Sequence, residues 1–229
     1  MTARSRRHGD GADAEPGRRG RAKNGVGRIG SMAAAERATE EVIDRGHLGG
    51  ERRLGGGMTP DDVKLQQVVR RYEQLGDTPP RLEIASNDEA HRAGGAHTVA
   101  KHGPQLPLPR EPGVQTVEGR IYGDTGWGKQ ATASYRWTDV ATMNREVNRY
   151  VRENWPAIRD DLAFDEFHEG LADAGHRIGE GYYNKGMFGA GPREAEYGET
   201  SLFRVRIRIV AESDPAVPFI VSAFPAGLG

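Results

Sequence analysis

Two histidines and a lysine occur close together between residues 94 and 103, a segment that begins and ends with glycine. If residues 96–102 form a short helix, His97 and Lys101 are four positions apart and share one face, with His102 at its flank. Near neutral pH a histidine accepts or donates a proton, and a nearby lysine stabilises a developing anion. These residue types suit reactions at phosphate, although a polar helix facing solvent with incidental histidines would show the same spacing.

The composition excludes several kinds of site. The chain has 229 residues, a formal net charge of −1 and no cysteine, so disulfides, thiolate zinc ligands and cysteine nucleophiles are absent. No HExxH or clustered carboxylate pattern occurs, and we predict neither a metal site nor a cofactor. No apolar run approaches the roughly 18 residues of a membrane span, so we expect no membrane insertion.

The N-terminal residues differ in composition from the rest of the chain. Residues 1–57 alternate Arg, Gly, Asp and Ala with almost no large apolar side chain, which predicts a disordered leader. No conventional signal peptide is present, so we expect a cytoplasmic protein or one delivered by a specialised secretion route. We divide the chain into the leader (1–57), a helix and linker (58–90) and a main domain (91–229). Met58 is an alternative start of the native protein.

Two helices are predicted from caps and apolar spacing. Thr59-Pro60 with two acids opens the first, whose apolar positions continue to Leu75 before Gly76. Thr138 caps the second, whose apolar stripe we expect to end at Trp155-Pro156. Beyond it the helical character continues over Ile158, Leu162, Phe164, Phe167 and Leu171. Residues 81–89 are too mixed in character to assign.

Alternating side chains predict strands in the second half of the chain. Residues 131–137 alternate apolar and polar groups, and residues 203–209 place apolar side chains on one face and three arginines on the other. Residues 218–224 form the next apolar run, with Asp214-Pro215 in the turn between. The predicted fold is α+β, with N-terminal helices packed on a C-terminal antiparallel β-sheet.

Two further features of the sequence, a P-loop-like segment and two more histidines, do not predict a binding site. Gly123–Gln130 has the spacing of a phosphate-binding P-loop as far as Lys129, but a glutamine replaces the required Ser/Thr and a strand follows instead of a helix. His168 and His176 lack partners at metal-ligand spacing and are interpreted as structural or surface residues.

Three separated segments together resemble a known family. Residues 94–103 (GGAHTVAKHG), 133–139 (ASYRWTD) and 221–225 (VSAFP) resemble, in this order, the RNase A-like C-terminal toxin domains of bacterial contact-dependent inhibition proteins. The similarity covers residues 94–225. It implies a metal-independent ribonuclease that is neutralised by a dedicated immunity protein.

The resemblance also implies roles for individual residues. The implied catalytic residues are His97, Lys101, His102, Arg120 and Ser222. Ser134 and Phe224 are expected to contact the substrate. A tyrosine often occupies the place of Phe224 in the family, and without that phenol His102 becomes the preferred second acid/base group. We further expect an RNA substrate, with tRNA among the candidates, and a monomeric protein.

The sequence is also compatible with two other functions. A non-catalytic RNA-binding module would use Arg204, Arg206 and Arg208 together with the basic leader. A different nuclease or transferase toxin on a related α+β scaffold would give other products.

Overall fold

Helices dominate the first half of the fold and strands the second. The computed structural model describes residues 59–186 and 192–227. The elements in order are α1 (Pro60–Leu75), α2 (Ile84–Ala90), a 3-10 turn (Arg92–Gly94), α3 (Thr98–His102), α4 (Gly119–Tyr122), β1 (Ala133–Trp137), α5 (Val140–Asp165), β2 (Phe167–Asp173), β3 (Gly179–Asn184), β4 (Ala195–Thr200), β5 (Leu202–Ile209) and β6 (Pro218–Pro225). The α+β prediction is confirmed. The predicted leader and the alternative start at Met58 lie outside the described residues.

Helix α1 begins where its capping residues predict. The Thr59 hydroxyl accepts the Asp62 backbone N–H, and the Asp62 carboxylate accepts the Thr59 backbone N–H in return. The helix ends at Gly76, whose φ of 65° suits glycine. The Gly76 carbonyl then accepts the Trp155 indole N–H at 3.0 Å, which ties the end of α1 to α5.

Helix α5 is longer than predicted. Asp139 caps it, one residue later than we expected, and it continues through Pro156 to Asp165. The predicted end at Trp155-Pro156 is therefore wrong. The helical character expected beyond it extends to Asp165, whereas Phe167 and Leu171 lie in strand β2. Proline removes one backbone donor, but Trp155 and Leu162 on either side are buried in the core, and this packing supports the helix across the interruption. No helix in the described ranges combines the length and apolarity needed to cross a membrane.

Helix α2 forms in a segment that we could not assign. Its first residue, Ile84, is fully buried and its backbone N–H donates to the Asn144 side chain at 2.9 Å. The Asn148 side-chain amide accepts the Leu82 backbone N–H and donates to the Leu82 carbonyl. Helix α5 thus fixes this segment through contacts distant in sequence. The domain boundary at residue 90 stays a prediction.

The strands form two three-stranded antiparallel sheets. Their strand orders are β1-β3-β4 and β2-β5-β6, and β5 and β6 form the predicted hairpin. One main core cluster packs α5 against the second sheet and against β1 of the first. Its largest fully buried side chains include Trp137 of β1, Phe203 of β5, and Ile158 and Leu162 of α5. The strand predicted after the P-loop-like segment is β1, and no helix follows Lys129 there.

Candidate functional site

A cleft of about 440 Å³ lies between α3, β1 and the β5–β6 hairpin. All the predicted site residues except Lys101 line it: His97, His102, Arg120, Ser134, Ser222 and Phe224. Lys101 is exposed and is not one of the lining side chains. The fold therefore brings together residues that are more than 120 positions apart in the sequence.

A second, larger groove of about 810 Å³ lies beside α5. Asn144, Asn148 and the arginines Arg81, Arg145 and Arg152 contribute to its lining. No histidine or hydroxyl side chain lines this groove among the described residues. We place the candidate site in the smaller cleft because, among the described residues, histidines and hydroxyl groups line it together with arginines.

Helix α3 is held at its first turn by another helix. His97 is its N-cap residue, and the helix begins at Thr98 rather than at residue 96. The His97 side chain makes no capping bond; instead the Asp88 carboxylate of α2 accepts the Val99 N–H at 2.6 Å. The Lys101 N–H still bonds the His97 carbonyl at 3.1 Å, which places the two residues one turn apart.

Side chains also cover the free edge of β6. The Asn87 side-chain amide forms a pair of bonds with the backbone of Ile220, at 2.8 and 2.9 Å. The Thr98 hydroxyl accepts the Ala223 N–H, and the Ala223 carbonyl accepts the Trp137 indole N–H, both at 2.9 Å. Strand edges expose unpaired backbone groups, and here α2, α3 and β1 satisfy them and fix the hairpin beside α3.

Strand β6 contains one residue more than its partner strand at this position. Arg206 pairs with Ser222 whereas Ile207 pairs with Ile220, so Val221 is an extra residue that forms a β-bulge. The bulge places Ile220 in the core and Ser222 on the opposite face, in the cleft. As the strand period predicts, Phe224 faces the same side as Ser222.

His97 is held by its backbone and by one ring nitrogen. Its N–H donates to the Val221 carbonyl at 3.0 Å, and its Nδ1 lies 2.6 Å from the Gly95 carbonyl. A carbonyl only accepts, so Nδ1 carries a proton and Nε2 is the unprotonated nitrogen of the neutral ring. Partial burial lowers the pKa of His97, and the positive charges of Lys101 and Arg120 lower it further. The hydrogen bond to the Gly95 carbonyl acts in the opposite direction and raises this pKa, but the net shift is downward.

His102 is buried behind the cleft. Its ring stacks on Phe224 with centroids 4.8 Å apart, and its Nδ1 lies 3.2 Å from the Tyr135 carbonyl. Burial, followed by the charge of Arg120, lowers the pKa of His102 to about 3. A ring that stays neutral at pH 7 is a poor proton donor. This geometry favours a role in shaping the site over the second acid/base role that we preferred from the sequence, and one face of Phe224 is covered by His102.

Arg120 supplies positive charge without a carboxylate partner among the described residues. It is partly buried, its guanidinium lies 4.8 Å from the Trp127 ring, and burial lowers its pKa. Arg204 and Arg206 also line the cleft, and no carboxylate of the described residues does so. A half-buried guanidinium in such surroundings favours an anion as its ligand.

Two serines face the cleft, one from each of the two sheets. Ser222 is only 1% exposed, and within residues 59–186 and 192–227 its hydroxyl finds no hydrogen-bond partner. Buried hydroxyls are normally bonded, so an unpartnered hydroxyl on the cleft wall indicates that a ligand completes it. Ser134 of β1 is buried and lines the same cleft.

The residues that hold this site could not be found from the sequence. Asn87 and Asp88 lie in the segment that we left unassigned, and Asn87 contacts a residue 133 positions away. Their side chains bond backbone groups, which are the same in every residue, so the sequence does not indicate these partners. Thr98 lies inside the predicted segment, but its spacing alone gave no reason to single it out.

Comparison of the chain with protein-family models, with curated proteins and with solved structures finds no match.

Proposed function

We propose that the chain is an endoribonuclease that cleaves RNA by attack of the 2′-hydroxyl on the adjacent phosphate, without a metal ion. The observation that carries the proposal is the make-up of the cleft. His97, whose Nε2 has no partner among the described residues, lies with Arg120 and the unpartnered Ser222 hydroxyl in a cleft whose described lining contains no carboxylate. This reaction requires a base, groups that stabilise the negative charge on phosphate, and a proton for the leaving oxygen. The cleft supplies the first two, and water supplies the third.

The proposed reaction begins at His97. Its Nε2 accepts the proton of the 2′-hydroxyl while the 2′-oxygen bonds to phosphorus. The bond from phosphorus to the 5′-oxygen then breaks, and that oxygen takes a proton from water. The products are a 2′,3′-cyclic phosphate and a 5′-hydroxyl end, and His97 returns its proton to solvent.

The neighbouring groups stabilise the charge that develops on phosphate. Arg120 supplies a permanent cation, and the Ser222 hydroxyl donates a hydrogen bond to a phosphoryl oxygen. The rings of His97 and His102 lie 6.4 Å apart, so His102 forms the wall behind His97 as a neutral group. Lys101 acts through its charge from the rim of the cleft.

The family resemblance of residues 94–225 suggests a biological setting. It supports a toxin that acts in a target-cell cytoplasm, with tRNA among the candidate substrates, and a dedicated immunity protein that neutralises it. The absence of disulfides suits a reducing compartment, because packing alone must hold the site together.

Purified protein incubated with total RNA tests the proposal. We expect discrete fragments with 2′,3′-cyclic phosphate and 5′-hydroxyl ends, and no cleavage of DNA of the same sequence, which lacks the nucleophile. Fragments with 5′-phosphate ends, or cleavage of DNA, would contradict the mechanism. Salt-dependent RNA binding without products would instead identify the non-catalytic RNA-binding module, which the arginines of β5 also favour.

A further inference from the structure

The cleft continues onto the outer face of the β2-β5-β6 sheet. Arg204, Arg206 and Arg208 alternate along β5 with buried apolar residues, so they share this outer face. We call these three side chains the arginine face. Arg204 and Arg206 line the cleft, whereas Arg208 lies farther along the strand. Strand geometry spaces successive members by roughly 6–7 Å, so the arginine face spans about 13 Å.

One carboxylate contacts the arginine face. Glu169 of β2 accepts from Arg204 at 3.1 Å and from Arg206 at 3.0 Å. Arg208 is exposed, has no carboxylate partner in the described ranges, and lies 6.0 Å from the Phe167 ring. Three guanidinium groups with a single carboxylate leave uncompensated positive charge beside the cleft.

Exposed apolar side chains accompany these cations. Phe167 pairs with Arg208 and Leu171 pairs with Arg204, so both lie on the same face of the sheet. Their exposed fractions are 37% and 53%, which is high for large apolar side chains. Surfaces that bind single-stranded nucleic acid combine cations that follow the phosphates with aromatic side chains on which bases stack, and Phe167 is such a side chain.

We propose that the arginine face binds the phosphates of the RNA strand where it leaves the cleft, with Phe167 and Leu171 contacting its bases. This inference rests on the ribonuclease function proposed above and extends its substrate to a single strand several nucleotides long. A single strand fits because the cations lie in one line along one β-strand. Glu169 orients Arg204 and Arg206 and competes with the phosphates for them.

A binding experiment with an uncleavable strand tests the inference. The probe is a 2′-O-methyl RNA of about ten nucleotides, which lacks the attacking hydroxyl, and its Kd is measured against salt concentration. Arg208→Ala should weaken binding roughly threefold and reduce the slope of log K against log salt by about 0.7, the value for one phosphate contact on a single strand. Arg152→Ala is the matched control, because Arg152 is an exposed arginine that lines the other groove.

A second variant should shift affinity in the opposite direction. Glu169→Gln removes the competing charge but keeps an oxygen that can accept from Arg204 and Arg206, so binding should tighten roughly threefold and the salt slope should steepen. In cleavage assays, Arg208→Ala should lower kcat/KM for the ten-nucleotide RNA by about the same factor as its binding. It should leave a dinucleotide substrate unaffected, because a dinucleotide occupies only the cleft.

The outcomes separate this inference from the function it rests on. If the wild type cleaves RNA but Arg208→Ala and Arg152→Ala have equal salt slopes, the arginine face does not bind the strand. The proposed ribonuclease function would be unaffected by that result. A salt slope that depends on Arg208, without products from any RNA, would support the arginine face and overturn the ribonuclease. A wild-type chain that does not bind the probe at all would overturn the inference.

Discussion

The backbone N–H of His97 donates to the Val221 carbonyl at 3.0 Å, and this bond joins the candidate base to the strand that carries Ser222. The Thr98 hydroxyl accepts the next available N–H on the same edge, that of Ala223. Two adjacent residues of the histidine segment are therefore bonded to β6. The backbone bond of His97 and the side-chain bond of Thr98 together fix the position of His97 relative to Ser222.

Replacement of His97 should abolish most of the activity. We expect His97→Ala to lower the cleavage rate about 10²–10⁴-fold, because it removes the proton acceptor. The fold should be retained, since the backbone bond to Val221 does not need the imidazole. Cleavage of a short single-stranded RNA and the circular dichroism spectrum are the measurements. His176→Ala, at a half-exposed histidine outside the cleft, is the control; full activity of His97→Ala would remove the residue from the mechanism.

The pH dependence of cleavage should follow His97. Burial holds the pKa of His97 below the ordinary value of 6.5, and the general base must be unprotonated. The value of kcat/KM should therefore rise with pH below 6.5 and be level at pH 7. A rate that falls as pH increases through this range would mean that a protonated histidine is required instead.

Replacement of Ser222 should separate activity from stability. Its hydroxyl has no partner among the described residues, so Ser222→Ala should change the free energy of unfolding by less than about 1 kcal/mol. The cleavage rate should fall at least about tenfold, because a donor to the phosphoryl oxygen is lost. Urea unfolding and single-turnover cleavage measure the two effects, with Ser213→Ala in the β5–β6 turn as a control for the rate. Unchanged kinetics would move the site away from the hairpin.

Acid should destabilise the protein through His102. The unfolded chain protonates this histidine near pH 6.5 and the folded chain only near pH 3, so the unfolded state binds more protons between these values. The free energy of unfolding should fall as pH decreases from 6.5 to 3, by on the order of 4 kcal/mol in total. His102→Asn keeps a donor for the Tyr135 carbonyl but cannot titrate, so its unfolding free energy should fall less steeply. Parallel curves for both proteins would contradict the burial argument.

Activity should not require a metal ion. Cleavage should be the same with and without excess EDTA, because the proposed steps use only His97, Arg120, Ser222 and water. A magnesium-dependent nuclease in the same buffer confirms that the chelator is effective. Loss of activity in EDTA with recovery on addition of magnesium or zinc would change the mechanism in kind.

The elements that could be predicted are those with local signals. Thr59 and Asp62 form the predicted capping box, and the alternation of Phe203, Val205 and Ile207 with arginines gives the predicted strand. The predicted helix end at Pro156 is wrong because the prediction rests only on the backbone hydrogen bond that proline cannot donate. The burial of Trp155 and Leu162, which supports the helix beyond Pro156, depends on the whole core.

Residue type and spacing singled out His97, whereas Arg120 and Ser222 are expected only from the family resemblance. Neither argument predicts how the three side chains are brought together. The hydrogen bonds that hold the site link the side chains of Asn87 and Asp88 to backbone atoms. Every residue has the same backbone groups, so the sequence does not show which of them are bonded. The protonation of His102 likewise depends on burial, which spacing does not predict.

Val221 lies between Ile220 and Ser222 and has no partner residue on β5. Without it, Ile220 and Ser222 would become neighbours, and both would keep their present partners on β5 in a regular ladder with the same faces. What such a shortened strand would lose is the carbonyl that His97 bonds. The extra residue therefore serves to attach the histidine segment to β6. A chain without Val221 should fold and keep all the other side chains of the site, but His97 would no longer be bonded to the hairpin.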